Sequence, residues 1–483
     1  MTEFPNIIPG QLHINGAWRP SSDGATSKVI NPATEEILGT IAQATPEDVD
    51  LAVAGAKDGL KTWRNTDAWT RSSKIRRIAQ ILREWTPEAA RLMTAEQGKP
   101  LSESEGEWNA AADQFDWYAD EARRIYGRTV DGHSTDSRLL VTREPVGVVA
   151  AFAAWNFPAL LPSRKMAPAL AAGCSVIVRP PGEAPYSTLL IVEAARQAGI
   201  PEGVVSALTG SASNISKRMV ASGEIRKISL TGSVPVGQTL LHLAADSITD
   251  VSMELGGHAP VLVFSDADIS QAAETCVATK FRNAGQVCAS PSRFIVHESI
   301  AEEFTKAFVA ATHALNIGDG TDPRTQVGPL TNLKRVEEAQ ELVDDAVAHG
   351  ATIAVGGGRD SRFQKGFFFE PTVLTGVNGK SKIMVDEPFA PVAPITTFST
   401  MEQALELANA TDFGLASYVW TKDLSTAVRA SEGIEAGMVG INSMIVASAE
   451  APFGGVKQSG YGREGGSEGV LDYTVAKATF LGL

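Results

Sequence analysis

The hydrophobic rhythm of the chain changes near Val146. Between about Pro46 and Gly127 apolar residues return every three or four positions, as in Trp108, Ala111, Phe115, Ala119, Ala122 and Ile125. That period lines one face of a helix, so the stretch is predicted to be mostly helical. Ahead of it, LHINGAW (Leu12 to Trp18) sets an Asn-Gly pair inside an apolar pattern, which predicts a small hairpin. From Val146 the apolar runs become short and β-branched. VGVVAAFAAW, SVIVR (Ser175 to Arg179), VVSALT (Val204 to Thr209) and IRKISL (Ile225 to Leu230) read as strands. Helices are predicted through Lys165 to Ala172, stopping at Gly173, and over Ser187 to Ala198. Strands alternating with helices predict parallel βαβ units in a doubly wound sheet. A second α/β series follows Glu254-Leu255-Gly256-Gly257: PVLVF, a helix holding Ala272 to Phe281, RFIVH, and a strand ending at Asn442. RLLVTRE (Arg138 to Glu144) and the C-terminal YTVAKATFLGL look extended and suited to a sheet edge.

Composition narrows the function. A length of 483 residues suits about three domains. The formal charge of -14 argues against a nucleic-acid partner, which needs clustered Lys and Arg. It leaves room for a small anionic substrate met by local arginines. Cys174, Cys276 and Cys288 are too few and scattered for a disulfide framework or a zinc site, which suits a reducing cytoplasm. MTEFPNIIPG lacks the basic and apolar regions of a signal peptide, and the apolar runs are too short to span a bilayer. A cytoplasmic protein with no membrane partner and no metal is expected.

Four stretches carry candidate chemistry. TGSVPVG (Thr231 to Gly237) joins a strand to a helix start, whose free N–H groups suit a pyrophosphate. Its glycine spacing is G-x-x-x-x-G, so alone it is an ordinary strand-to-helix turn. MELGGHAP sets Glu254 before two glycines, a carboxylate beside backbone that a ligand can approach closely. In AWNFPALLPSRKMAPALAAG, Asn156 lies past a strand end, where open α/β sheets place ligands and an amide can donate to an oxyanion. FRNAGQVCAS surrounds Cys288 with small residues, leaving its thiol open to attack a carbonyl. Cys276 and Cys174 fit the apolar core, the common place of a free cysteine. Together a thiol, an acid, an amide donor and an anion-binding turn are the parts of a covalent aldehyde oxidation.

WNFP, the LTGS turn, ELGG, GQVC, DEPFAPV (Asp386 to Val392) and APFGGVKQSGYGREGG (Ala451 to Gly466) resemble the aldehyde dehydrogenase superfamily over nearly the whole chain. Cys288 follows Glu254 by 34 residues, a specific spacing. The resemblance implies a Rossmann-like NAD(P)-binding domain (1–122 and 146–256), a second α/β catalytic domain (257–458) and a small β oligomerisation arm (123–145 and 459–483). It implies a homodimer or homotetramer. It makes Cys288 the nucleophile, Glu254 the base for the hydrolytic water, and Asn156 the oxyanion amide. Lys165 and Glu464 match residues of proton relay and active-site order. Trp155, Arg179, Gly182, Gly210, Thr231, Gly232, Ser233, Leu255, Glu387 and Phe389 match the cofactor cleft. Glu254 favours hydrolysis over transfer of the acyl group to coenzyme A.

The resemblance is nearest to the succinate-semialdehyde and 2-oxoglutarate-semialdehyde enzymes. There, arginines at the positions of Arg164 and Arg282 clasp the distal carboxylate of the substrate, and Phe453 matches a substrate contact. A guanidinium fork suits a carboxylate. Ala447 departs from the serine that succinate-semialdehyde enzymes often offer, which weakens the case for succinate semialdehyde specifically. RPPG (Arg179 to Gly182) departs from the usual K-P-x-E and lacks its discriminating carboxylate, with Glu183 one residue late. Either NAD or NADP is therefore expected. A dehydrogenase of aromatic or neutral aliphatic aldehydes, with the arginines unused, is the alternative, and a non-catalytic binding relative is a further one.

Overall fold

A computed structural model of the chain describes residues 4–483. Residues 1–3, at the head of the expected 1–122 segment, lie outside the described residues. The hairpin forms where the Asn-Gly pair predicts it. Asn15 and Gly16 take φ of 53° and 79°, and Leu12–Ile14 pairs with Ala17–Arg19. The helical stretch becomes four helices, Pro46–Arg64, Ala68–Glu84, Thr86–Gln97 and Leu101–Glu121. The first is fixed by a capping box of Thr45 and Asp48. The last buries Trp108, Ala111, Phe115 and Ala119 completely. Ala122 and Ile125 fall past its end and still pack on the same core.

The first large sheet has eight strands. Its parallel centre runs, in spatial order, Val205–Ala207, Ser175–Arg179, Val148–Phe152, Ile225–Thr231 and Asp250–Glu254. Val149 and Ala151 enter one core while Val148, Ala150 and Phe152 enter the other. Burial on both faces explains why this strand reads as an unbroken apolar run. Chain order reverses between Val148–Phe152 and Ile225–Thr231, which is the topological switch point where such sheets bind ligands.

The second sheet has seven strands, with Pro291–His297 and Ala259–Val263 at its middle. A third, antiparallel sheet sets Ser137–Pro145 between Arg128–Asp131 and Thr474–Gly482. The segment 459–483, expected whole in the arm, divides instead. Gly460–Tyr461 pairs with Asp250–Glu254 at the edge of the first sheet, and only Thr474–Gly482 joins the small sheet. The helix expected from Lys165 begins earlier, at Leu160. Pro162 sits in its first turn, where a missing N–H costs nothing. No helix among the described residues is long and apolar enough to cross a membrane.

Candidate active site

A cleft of about 680 Å³ opens at the switch point. Strand ends of the first sheet bring Asn156, Thr231 and Glu254 to it, and the second half brings Cys288, Glu387 and Phe389. Trp155, Arg179, Gly232, Ser233 and Leu255 complete the expected residues on its wall. Gly182 and Gly210 stand just behind: the Arg179 Nη2 donates to the Gly210 carbonyl at 2.8 Å. Lys165, Glu464, Arg164, Arg282 and Phe453 do not line this cleft.

Cys288 sits at the end of a strained turn. Asn283 and Ala284 take φ of 49° and 52°, values that cost non-glycine residues energy, and Gly285 follows at 74°. A side chain at Gly285 would place its Cβ 2.3 Å from the Ala390 carbonyl, so only glycine fits. The Asn283 N–H donates to the Glu103 carboxylate at 3.0 Å, and the Gln97 amide donates to the Asn283 side-chain oxygen at 2.9 Å. These bonds hold the turn against its strain. Cys288 itself is half-buried, while Cys174 and Cys276 are in the core as expected. Burial, and then the neighbouring Glu254 carboxylate, push the Cys288 thiol well above its ordinary range.

Glu254 is buried with neither carboxylate oxygen bonded among the described residues. Burial raises it to about 8, Glu464 adds to the rise, and Lys165 opposes it. Lys165 lies behind, ion-paired to Glu464 and donating to the Thr231 hydroxyl at 2.8 Å. Glu464 exchanges backbone bonds with Phe453, which ties this acid to the far side of the site.

The Asn156 amide nitrogen donates to the Gln286 carbonyl at 3.1 Å, leaving its second N–H available. The Asn156 carbonyl accepts from Lys99 Nζ at 2.7 Å and from the Asn283 amide at 3.0 Å. On the other side of Asn156, Arg164 lies over the Phe453 ring at 4.1 Å, and Arg282 lies over the Phe157 ring at 5.2 Å. Arg164 is only 3% exposed, yet no hydrogen bond or ion pair to it is found among the described residues, and its Nε is buried without a partner. Arg282 is exposed and also stands outside every ion pair found among the described residues. Phe157 and Leu161, with Val287 packed against them, form an apolar patch on which Arg282 lies.

The opposite end of the cleft fits the dinucleotide that the resemblance implies. The helix Val234–Ser247 starts at Ser233 with no side-chain cap, leaving its first N–H groups to an anion. Arg179 Nε is buried without a partner among the described residues. Gly256 lies so close to Glu387 that an added Cβ would come within 2.4 Å of its carboxylate. Glu387 is itself fixed by the Gly257 N–H at 3.0 Å, and burial raises it to about 7. The Trp155 and Phe389 rings meet edge to face at 5.6 Å. Sequence reasoning misses Asn332, Lys334 and Arg335, which line the same cleft. Asn332 caps the helix Leu333–Ala348, a signal visible in TNLKRVEE, but nothing local ties that cap to the cleft.

The aldehyde dehydrogenase family matches residues 18–479. A 3-sulfolactaldehyde dehydrogenase of Pseudomonas putida is 44% identical over 478 residues, covering 99% of this chain and 98% of that one. A glutarate-semialdehyde dehydrogenase of Pseudomonas putida is 43% identical over 467 residues, covering 97% and 96%. Among solved structures, a succinate-semialdehyde dehydrogenase from Burkholderia pseudomallei superposes with a TM-score of 0.98 at 39% identity, over 100% of this chain and 99% of that one. A cysteine beside a buried acid at the mouth of a dinucleotide-shaped cleft, and a match over nearly the full length, place this chain in the aldehyde dehydrogenase family.

Proposed function

We propose that the chain oxidises a short aldehyde carrying a distal carboxylate, such as succinate or 2-oxoglutarate semialdehyde, to the dicarboxylic acid, with NAD or NADP as oxidant. The observation that carries this reading is Arg164, a buried guanidinium with no anionic partner of its own. Such a charge is costly unless a ligand supplies the counter-ion. The relatives' names support it, since glutarate semialdehyde and 3-sulfolactaldehyde each pair an aldehyde with an anionic far end.

The chemistry balances as aldehyde, water and NAD(P)⁺ giving acid, NAD(P)H and a proton. Cys288 Sγ loses its proton and adds to the carbonyl carbon, whose π electrons move to oxygen. The free N–H of the Asn156 amide and the Cys288 backbone N–H hold that oxyanion. A nicotinamide held by Glu387 and Phe389 would supply the oxidant for the former aldehyde carbon, which stays on Cys288 as a thioester. Glu254 then takes a proton from water as its oxygen adds to the thioester. The C–S bond breaks and the thiol is restored. Lys165 and Glu464 keep Glu254 placed and its charge balanced. Residues 1–122 and 146–256 hold the cofactor, with Ser233 and Arg179 on its phosphate and ribose side. Residues 257–458 present the thiol.

The small sheet belongs to the same reading as an assembly surface for a homodimer or homotetramer. It exposes Phe480 and Leu481 on an edge strand with no further strand beside it among the described residues. Light scattering of the purified protein should give a mass of two or four chains, and a monomer at micromolar concentration counts against it.

Glu254 sets the pH dependence. At pH 7 a group at about 8 is mostly protonated, so its base form grows as pH rises. Steady-state turnover should climb from pH 7 to 9 as that base form grows. Glu254→Gln should release one equivalent of NAD(P)H per Cys288 and then stall. Near-normal steady-state turnover in that variant would remove Glu254 from the deacylation step.

Arg179 stands where a lysine is usual and Gly182 where the discriminating carboxylate is usual, and Glu183 lines the cleft nearby. NADP should therefore be used within about tenfold of NAD in kcat/KM, a gap of roughly 1.4 kcal/mol. A thousandfold preference for NAD would show that Glu183 has taken the discriminating role.

Arg164→Ala and Arg282→Ala should each cost about 2–4 kcal/mol in kcat/KM for succinate semialdehyde or 2-oxoglutarate semialdehyde. Butanal, of similar length but neutral, should be spared. An equal fall with both substrates would make the arginines structural and favour a neutral or aromatic aldehyde.

A further inference from the structure

Beneath Asn156 lies a second charged pair that the reaction above does not use. Lys99 and Glu107 have side chains wholly removed from solvent, with Nζ 2.5 Å from the Glu107 carboxylate. Lys99 follows the Thr86–Gln97 helix, and Glu107 lies on Leu101–Glu121. Neither residue lines the cleft. Each nevertheless grips the segment that carries Asn156. Lys99 Nζ donates to the Asn156 carbonyl at 2.7 Å and lies 4.0 Å over the Phe157 ring. The other oxygen of Glu107 accepts from the Ala159 and Leu160 N–H groups at 2.8 and 3.2 Å. It thereby caps the Leu160–Ala172 helix, which has no side-chain cap of its own. From the same backbone, the Lys99 N–H donates to Gln97, and Gln97 donates to Asn283 in the strained turn. The Asn283 amide returns to the Asn156 carbonyl at 3.0 Å, closing the circuit.

We propose that Lys99, paired with Glu107, is a positioning residue for the oxyanion amide: it fixes the peptide of Asn156 so that the free amide N–H points at the carbonyl under attack by Cys288. This rests on the reading of Asn156 and Cys288 given above. A buried ion pair contributes little net stability, since a well-packed apolar pair does as well or better. What an apolar pair cannot do is donate to the Asn156 carbonyl and accept from two N–H groups three and four residues further on. Without those bonds the peptide plane of Asn156 is held by Asn283 alone. A shift of the order of an ångström at an oxyanion donor is enough to slow the reaction.

Two cofactor-free reactions of Cys288 separate orientation from folding. With p-nitrophenyl acetate, Sγ attacks the ester carbonyl, p-nitrophenolate leaves, and an acetyl thioester forms through an oxyanion. With iodoacetamide, Sγ displaces iodide and no oxyanion forms. Lys99→Met leaves Glu107 buried and charged, so Lys99→Met with Glu107→Gln is the main variant, because it removes both charges. It should be acylated by the ester ten- to a hundredfold more slowly than wild type, be alkylated within twofold of wild type, and keep a cooperative unfolding transition. Adding Asn156→Ala to it should cost far less than Asn156→Ala costs in wild type. Ester acylation at the wild-type rate in the folded double variant would overturn the proposal. So would a fall in alkylation by the same factor, since the effect would then lie on the thiol and not on the amide. A wild-type protein that oxidises no aldehyde yet shows this split would fail the proposed function and leave the positioning role standing.

Discussion

The carbonyl of Asn156 is the joint on which the site depends. It receives one hydrogen bond from Lys99, in the helical layer of the first half, and one from Asn283, in the turn that opens the second. Asn156 answers across the same gap by donating to Gln286. An amide at the end of one sheet and a thiol before a strand of another must meet within hydrogen-bonding tolerance. Neither sheet alone sets that distance. Two bonds crossing between the halves, with Lys99 bracing the first, do. They lie in a dry place, where each is strong and an unmade one is expensive. The left-handed turn at Asn283 and Ala284 persists because the same bonds over-determine it.

Burial of charge follows from that joint. The first half is covered on both faces, so anything carried by the Leu160–Ala172 helix is enclosed. Arg164 and Lys165 are neighbours on that helix, both buried, with opposite circumstances. Lys165 has Glu464 and the Thr231 hydroxyl. Arg164 has only an aromatic face. A chain that satisfies one buried cation and leaves its neighbour unsatisfied within the same turn has not run short of acids. Tyr118 packs near both Arg164 and Glu464, so a carboxylate lies in the neighbourhood and still does not pair with the guanidinium. Arg164 is thus a buried cation that no carboxylate among the described residues pairs with.

Much of this is legible in the sequence wherever function occupies consecutive residues at a strand end. WNFP, LTGS, ELGG and GQVC each place a reactive group beside small or rigid residues, and the strands before them read clearly from their apolar runs. What stays hidden is long-range. Lys99 is 57 residues from the carbonyl it holds. Glu107 caps a helix 52 residues away, and that distant cap, with Pro162 tolerated in the first turn, is why the helix starts at Leu160 and not nearer Lys165. Gly460–Tyr461 makes a two-residue strand, too short to leave a period in the sequence, so its place in the first sheet could not be separated from the tail that follows. Asn332, Lys334 and Arg335 read as an ordinary capped helix start because only tertiary packing turns them toward the cleft.

The raised acid and the unpaired arginine have one electrostatic consequence in common. Glu254, raised to about 8, and Glu387, raised to about 7, are the two carboxyls that act on the thiol, and both hold much of their proton near neutral pH. Glu464 is paired with Lys165, and Arg164 is a buried cation without a carboxylate partner among the described residues, inside a protein of net charge -14. An anionic substrate is thus drawn to a local field opposed to that of the surface. An ionised Glu254 would offset Arg164 and weaken that attraction. The same acid must give up its proton later to activate water. Because Arg164 lowers Glu254, a carboxylate that neutralised Arg164 would make Glu254 hold its proton more tightly, so under the proposed reading the base step depends on what Lys165 still contributes.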